Sequence, residues 1–176
     1  MPAAASLILC YVTDRHLLGP DDNARLAALS GVIRRAITAG VDWIQIREKD
    51  LSGRCLSEVV RDAVAAAAGT STRILVNDRL DIALGLGAAG VHLGEASVPV
   101  AEVIRWRSSD TAHHGFLAGA SCHSLAAAQQ AERDGADYIF FGPVFDTPAK
   151  RKFGPPQGLD RLADVCRSVR IPVLAI

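Results

Sequence analysis

Three side chains in Gln45-Ile-Arg-Glu-Lys49 are of types that bind anions, and they recur at alternate positions. Side chains alternate across an extended segment, so Gln45, Arg47 and Lys49 share one side, with Trp43 below them. Ile44 and Ile46 point the other way, toward covering helices. Arginine offers a planar fork of donors and lysine a mobile positive charge, a match to a diphosphate. A strand end fraying into water also accounts for Arg47 and Lys49, but not for Gln45, which lies within the apolar run. Asn77-Asp78 follows the apolar Ile74-Leu-Val76. Asp78 is a hard oxygen ligand suited to Mg²⁺, with Asn77 as donor or acceptor beside it. The competing reading is that Asp78 caps a helix starting near Leu80.

Three later segments add polar groups. His92 lies inside Gly90-Val-His-Leu-Gly94, of opposite parity to Val91 and Leu93, and suits a core or a site-lining position; Glu95 and Ser97 follow it. Ala120-Ser-Cys-His-Ser124 holds Ser121 and Ser124, either of which can donate to a phosphate, with the helix start behind them. Ser124 suits a capping role as well. His123 is a group that moves protons near neutral pH. Phe141-Gly-Pro-Val-Phe-Asp-Thr-Pro-Ala-Lys150, with Arg151 and Lys152 after it, is a long basic loop resembling a lid or phosphate clamp. His16, His113 and His114 have no such context, and the last two read as surface loop residues.

These segments need a scaffold that gathers the ends of many strands. The pattern predicts strands at Leu7–Val12, Val41–Ile46, Arg73–Val76, Gly90–Leu93, Leu117–Ala120, Ala136–Phe141 and Ile171–Ile176. Helices alternate with them. Pro20-Asp-Asp-Asn23 opens the first helix, and Leu26, Leu29, Ile33 and Ile37 form its buried stripe. Leu80–Leu86, Val98–Trp106, Leu125–Arg133 and Leu159–Val169 are further helices, and Val59 and Val64 mark another. A glycine turn links helix to strand in Ala39-Gly-Val-Asp42, Ala88-Ala-Gly-Val91 and Asp134-Gly-Ala-Asp137. Such alternation argues for an α/β fold with a parallel sheet. A doubly wound sheet expects a glycine-rich loop after its first strand, where this chain has Thr13-Asp-Arg-His16. The reading is an incomplete TIM (β/α)8 barrel with about seven parallel strands, a single domain over residues 1–176 that lacks its last strand and helices.

The chain has 176 residues, 49% of them apolar, enough for one sizeable core. Nineteen basic and nineteen acidic residues balance, so no global field attracts nucleic acid or a membrane surface. The N-terminus lacks a basic flank and reads as a strand rather than a signal peptide. Four scattered cysteines without a CxxC pair suit free thiols in the cytoplasm. Of these, Cys122 alone stands beside chemically interesting residues.

Taken together and in order, Tyr11-Val-Thr-Asp14, Gln45-Ile-Arg-Glu-Lys49, Asn77-Asp-Arg79, Gly90-Val-His-Leu-Gly94, Ser121-Cys-His-Ser124, Gly135-Ala-Asp-Tyr138 through Thr147, and Ile171–Ile176 resemble the thiamine phosphate synthase family, with its thiazole tautomerase relatives. The resemblance implies a TIM barrel and a transferase of thiamine biosynthesis. Its substrates would be a phosphorylated thiazole and an aminopyrimidine methyl diphosphate, with pyrophosphate released and Mg²⁺ as cofactor. It implies that Gln45, Arg47 and Lys49 hold the pyrimidine diphosphate, Asn77 contacts the pyrimidine, and Asp78 binds the metal. Ser121 would touch the leaving diphosphate, Thr147 the thiazole phosphate, and Lys150 the diphosphate. In the tautomerase branch, His123 is the proton-transfer residue.

Two departures bear on the metal and the branch. Ser97 stands where the family has a second metal carboxylate, leaving Glu95 as the candidate substitute, and Ala149 replaces a hydroxyl residue. Both favour a tautomerase or a diverged synthase more than the resemblance alone does, and a non-catalytic phosphate-ligand-binding barrel is a further alternative. The absent closing elements predict open strand edges, weak activity, and association into aggregates or a homo-oligomer.

Overall fold

The computed structural model describes residues 7–146 and 155–176. Among them, seven strands alternate with helices and follow one another in chain order in a parallel sheet, the arrangement of an incomplete (β/α)8 barrel. The chain divides into two compact units, Met1–Gly90 and Val91–Ile176. No helix among the described residues is long and apolar enough to cross a membrane.

The first unit contains β1 (Cys10–Val12), α1 (Asp22–Thr38), β2 (Trp43–Ile46), α2 (Gly53–Ala67), β3 (Arg73–Asn77) and the short α3 (Leu80–Gly85). The Asp21 carboxylate caps α1 by accepting from the Ala24 N–H at 2.9 Å, and Ser52 caps α2 by accepting from Cys55 N–H. Each cap contributes about 1 kcal/mol. Leu29, Ile33 and Ile37 of α1 are buried along one face, as the apolar spacing predicts. Leu56, Val59, Val60, Ala63 and Ala67 form the buried face of α2. Gly40 adopts φ +78° past the end of α1, a conformation only glycine enters without strain, and the next strand follows at once.

β1 is shorter than the apolar run that predicts it. Leu7 and Leu9 are largely exposed, and pairing begins only at Cys10, opposite Trp43. Leu9 instead gives its N–H to the Asp42 carboxylate at 2.8 Å.

The second unit holds β4 (Gly90–Leu93), α4 (Val100–Ser108), β5 (Leu117–Cys122), α5 (Leu125–Arg133), β6 (Tyr138–Phe141), α6 (Gly158–Ser168) and β7 (Val173–Ala175). β5 runs two residues beyond the predicted end, with Ser121 opposite Phe140 and Cys122 opposite Phe141. β7 starts late because Pro172 has no N–H to give a ladder, although its carbonyl accepts from Ile139 N–H at 3.0 Å. His113 is not a plain surface residue: its ring stacks on Trp106 with centroids 4.1 Å apart.

Candidate functional site

In the first unit, the ends of β2 and β3 carry a directional chain of polar contacts. Gln45 lies opposite Leu75 in the ladder and is almost fully buried, as are Ile44 and Ile46 on the other face. Lys49 Nζ stands 3.7 Å from the Asp78 carboxylate. The same carboxylate accepts from Asn77 Nδ2 at 2.6 Å. A carboxylate only accepts, so Asn77 must turn its amide nitrogen to Asp78 and its oxygen away. That oxygen accepts from Gln45 Nε2 at 2.7 Å. Gln45 Oε1 is then left as a buried acceptor with no hydrogen-bond partner. Buried polar atoms without partners are rare, and one at a strand end is suited to a ligand N–H.

Arg47 and Asp78 occupy neighbouring strand ends. The Arg47 N–H donates to Thr13 Oγ1 at 2.9 Å, and Thr13 N–H donates to the Gln45 carbonyl at 3.0 Å. Thr13, itself buried, thus extends the β1–β2 ladder by a side chain. Among the described residues the Arg47 guanidinium makes no ion pair. Asp78 adopts φ +61°, a left-handed conformation that aspartate tolerates better than most residues. Its side chain does not cap α3: the capping position is Arg79, with no side-chain cap bond. The helix-cap reading of Asp78 gives way to its contacts with Asn77 and Lys49.

The expected magnesium site of Asp78 and Glu95 is not borne out. Among the described residues, no group of three or more His, Cys, Asp or Glu side chains is placed to hold a metal ion. The Asp78 carboxylate instead faces an ammonium and an amide. Ser97 closes a turn, its Oγ accepting from Gly94 N–H at 2.8 Å and its N–H donating to Gly94 O. Glu95 is exposed, and its charge acts on Cys122.

An ion cluster that the sequence reading missed involves the residues just after β2. Arg15 and Glu48 are both buried and 3.2 Å apart. Arg15 also grips Asp50 with two parallel bonds of 2.5 Å. This hydrogen bonding holds the Asp50 carboxyl well below the usual carboxylate range. Glu48 is of opposite parity to Gln45, Arg47 and Lys49. A charge on the side of Ile44 and Ile46 was the available signal for a buried partner.

In the second unit, His92 is buried. Its Nε2 lies 2.9 Å from Ser121 Oγ and its Nδ1 lies 3.2 Å from Tyr138 Oη. Tyr138 entered the sequence reading only as part of the matching stretch Gly135-Ala-Asp-Tyr138, with no role assigned. His123 is exposed, with Nδ1 2.5 Å from the Gly142 carbonyl. A carbonyl only accepts, so Nδ1 carries the hydrogen and Nε2 is the basic nitrogen. Ser124 caps α5, accepting from Ala127 N–H at 3.1 Å. Cys122 is buried, and burial followed by the Glu95 charge pushes its thiol up to about 11, which does not suit a nucleophile. Thr147 and Lys150, with Arg151 and Lys152, lie outside the described residues.

A family model described as thiamine monophosphate synthase matches residues 9–176. The chain is 44% identical over 147 residues to a thiamine-phosphate synthase of Methanocella arvoryzae, a match covering 81% of the chain and 65% of that relative. It is 38% identical over 173 residues to a thiamine-phosphate synthase of Desulfitobacterium hafniense, covering 98% of the chain and 78% of the relative. Among solved structures, it superposes on a thiamine phosphate pyrophosphorylase from Pyrococcus furiosus with a TM-score of 0.75 and 32% identity, covering 97% of this chain and 74% of that one. A 3-dehydroquinate dehydratase from Geobacillus kaustophilus, at 17% identity and a TM-score of 0.62, shares the fold alone.

Proposed function

The chain belongs to the thiamine monophosphate synthase family, and from that premise we propose that it joins an aminopyrimidine methyl diphosphate to a thiazole phosphate and releases pyrophosphate. The observation that carries the site assignment is the run of contacts from Lys49 through Asp78 and Asn77 to Gln45. It leaves one buried acceptor, Gln45 Oε1, suited to the amino group of an aminopyrimidine. Arg47 and Lys49 are the cations for the diphosphate on the same substrate.

In this reading the C–O bond to the diphosphate ionises. The pyrimidine ring stabilises the cation, and Arg47 and Lys49 stabilise the departing anion, to which Ser121 is assigned from the family resemblance alone. Donors fixed before the reaction stabilise developing charge without reorganising. The thiazole nitrogen then captures the cation, helped by the proximity of two substrates held together. Thr147 is assigned to the thiazole phosphate and Lys150 to the diphosphate, from the family resemblance alone. A cytoplasmic setting belongs to the same proposal, supported by free cysteines at Cys10, Cys55, Cys122 and Cys166.

The deciding experiment incubates the protein with both substrates and follows pyrophosphate and thiamine phosphate. Formation of both in equal amounts supports the reading; absence of both overturns it. A second reading, thiazole tautomerase, is favoured by the exposed His123 ring with its basic Nε2 free of the Gly142 contact. It predicts exchange of the thiazole carboxylate phosphate tautomers, seen by NMR and lost in His123→Ala.

A further inference from the structure

We infer that Tyr138 is a positioning residue that sets the hydrogen-bond polarity of Ser121 through His92. The inference rests on the assignment of Ser121 to the leaving diphosphate. Its geometry lies within the second unit. Gly119 and Ser121 share one face of β5, and Tyr138 and Phe140 share one face of β6. The ladder pairs Gly119 with Tyr138 and Ser121 with Phe140. His92 projects from β4 into the same group, its ring centroid 4.3 Å from that of Phe140 and 5.6 Å from that of Tyr138.

The Tyr138 ring is held in place by what surrounds it. Tyr138 is fully buried, and a Cβ on Gly119 would fall 2.0 Å from its Cζ. Glycine is therefore required opposite the ring. The phenol oxygen is then 3.2 Å from His92 Nδ1, and Nε2 is 2.9 Å from Ser121 Oγ. A phenol is a good donor and a weak acceptor, whereas an imidazole lone pair is a strong acceptor. The Tyr138 hydroxyl therefore donates to Nδ1, and the imidazole carries its hydrogen on Nε2. Nε2–H in turn donates to Ser121 Oγ.

The consequence reaches the anion. With its oxygen accepting from His92, Ser121 keeps its own proton for a third partner. An O–H aimed at a phosphate oxygen makes a charge-assisted bond. In the other tautomer Ser121 would spend that proton on Nε2 and present lone pairs to an anion.

The test uses the full chain. In the parent protein, ¹⁵N histidine NMR should show His92 as the Nε2–H tautomer; an Nδ1–H signal overturns the inference. In Tyr138→Phe, which keeps the ring and removes the hydroxyl, that preference should be lost. With both substrates, kcat should fall about tenfold while KM for the pyrimidine diphosphate stays within about twofold. Ser121→Ala added to Tyr138→Phe should cost less than it does in the parent. An unchanged His92 tautomer in Tyr138→Phe, or fully additive losses, overturns the inference. The imidazole signals need no turnover, so an inactive parent sinks the synthase reading while the tautomer still decides the role of Tyr138.

Discussion

Arg15 and Glu48 form a buried ion pair, 3.2 Å apart, that ties the turn after β1 to the end of β2. The Arg15 backbone N–H also donates to the Glu48 carboxylate at 3.2 Å. Glu48 lies between Arg47 and Lys49 in the chain, so the pair anchors the segment that carries those cations.

Removing one partner should therefore cost more than removing both. Glu48→Ala leaves the backbone N–H of Arg15 unpaired and the guanidinium with Asp50 as its remaining close carboxylate, and should lower unfolding free energy by about 2 kcal/mol. The double change Arg15→Met with Glu48→Met should be nearer neutral. Urea unfolding midpoints of the parent, single and double variants check the ordering.

The pH dependence follows from Asp50. Its two bonds from Arg15 lower its folded pKa below the unfolded value of about 3.9. A carboxyl lowered in this way stabilises the fold at pH above its unfolded pKa. That contribution is lost as pH falls through the folded pKa. Stability should be level near neutrality and decline below about pH 4, with a smaller acid decline in Asp50→Asn. The side chain is half exposed, so screening keeps the effect modest. Denaturation midpoints across a pH series provide the measurement.

Gln45 and Arg47 should separate by kinetic signature. Gln45→Leu removes the orphaned acceptor but also the Nε2–H that Asn77 Oδ1 accepts, so stability should fall by about 1–2 kcal/mol. KM for the pyrimidine diphosphate should rise about tenfold through the lost amine contact. Arg47→Ala should lower kcat/KM about a hundredfold, because it removes a cation from the developing anion. Steady-state kinetics of both variants, with the pyrimidine diphosphate varied, distinguish these outcomes from a shared structural defect.

Thiol reactivity should follow burial. Cys166 is exposed. Burial pushes Cys10 up to about 12, and Cys122 is held near 11 by burial and the Glu95 charge. Iodoacetamide in mildly alkaline buffer should alkylate Cys166 and spare Cys10 and Cys122, as read by peptide mass spectrometry. Early modification of Cys122 would reopen a nucleophilic role for it.

Local pattern was enough to determine the alternation of strands and helices, the stripe Leu29, Ile33 and Ile37, and the glycine turns at Gly40 and Gly135, but not the third turn, where Gly87 takes the positive φ and Gly90 already belongs to β4. Each depends on side-chain periodicity or on the φ of one residue. The apolar run likewise placed Gln45 within β2, with Arg47 directly after it. Pairing decided the rest. Whether Leu9 joins β1, and how far β5 runs past Ala120, depends on which partner N–H and C=O groups stand alongside. The metal expectation failed for a similar reason: composition supplies Asp78 and Glu95, but only three dimensions give Asp78 to Lys49 and Asn77, and Ser97 to Gly94. The partners of buried polar groups, Arg15 with Glu48 and His92 with Tyr138, lie tens of residues apart in the chain. No local rule links such pairs, and desolvation makes them find each other only once the core has closed around them.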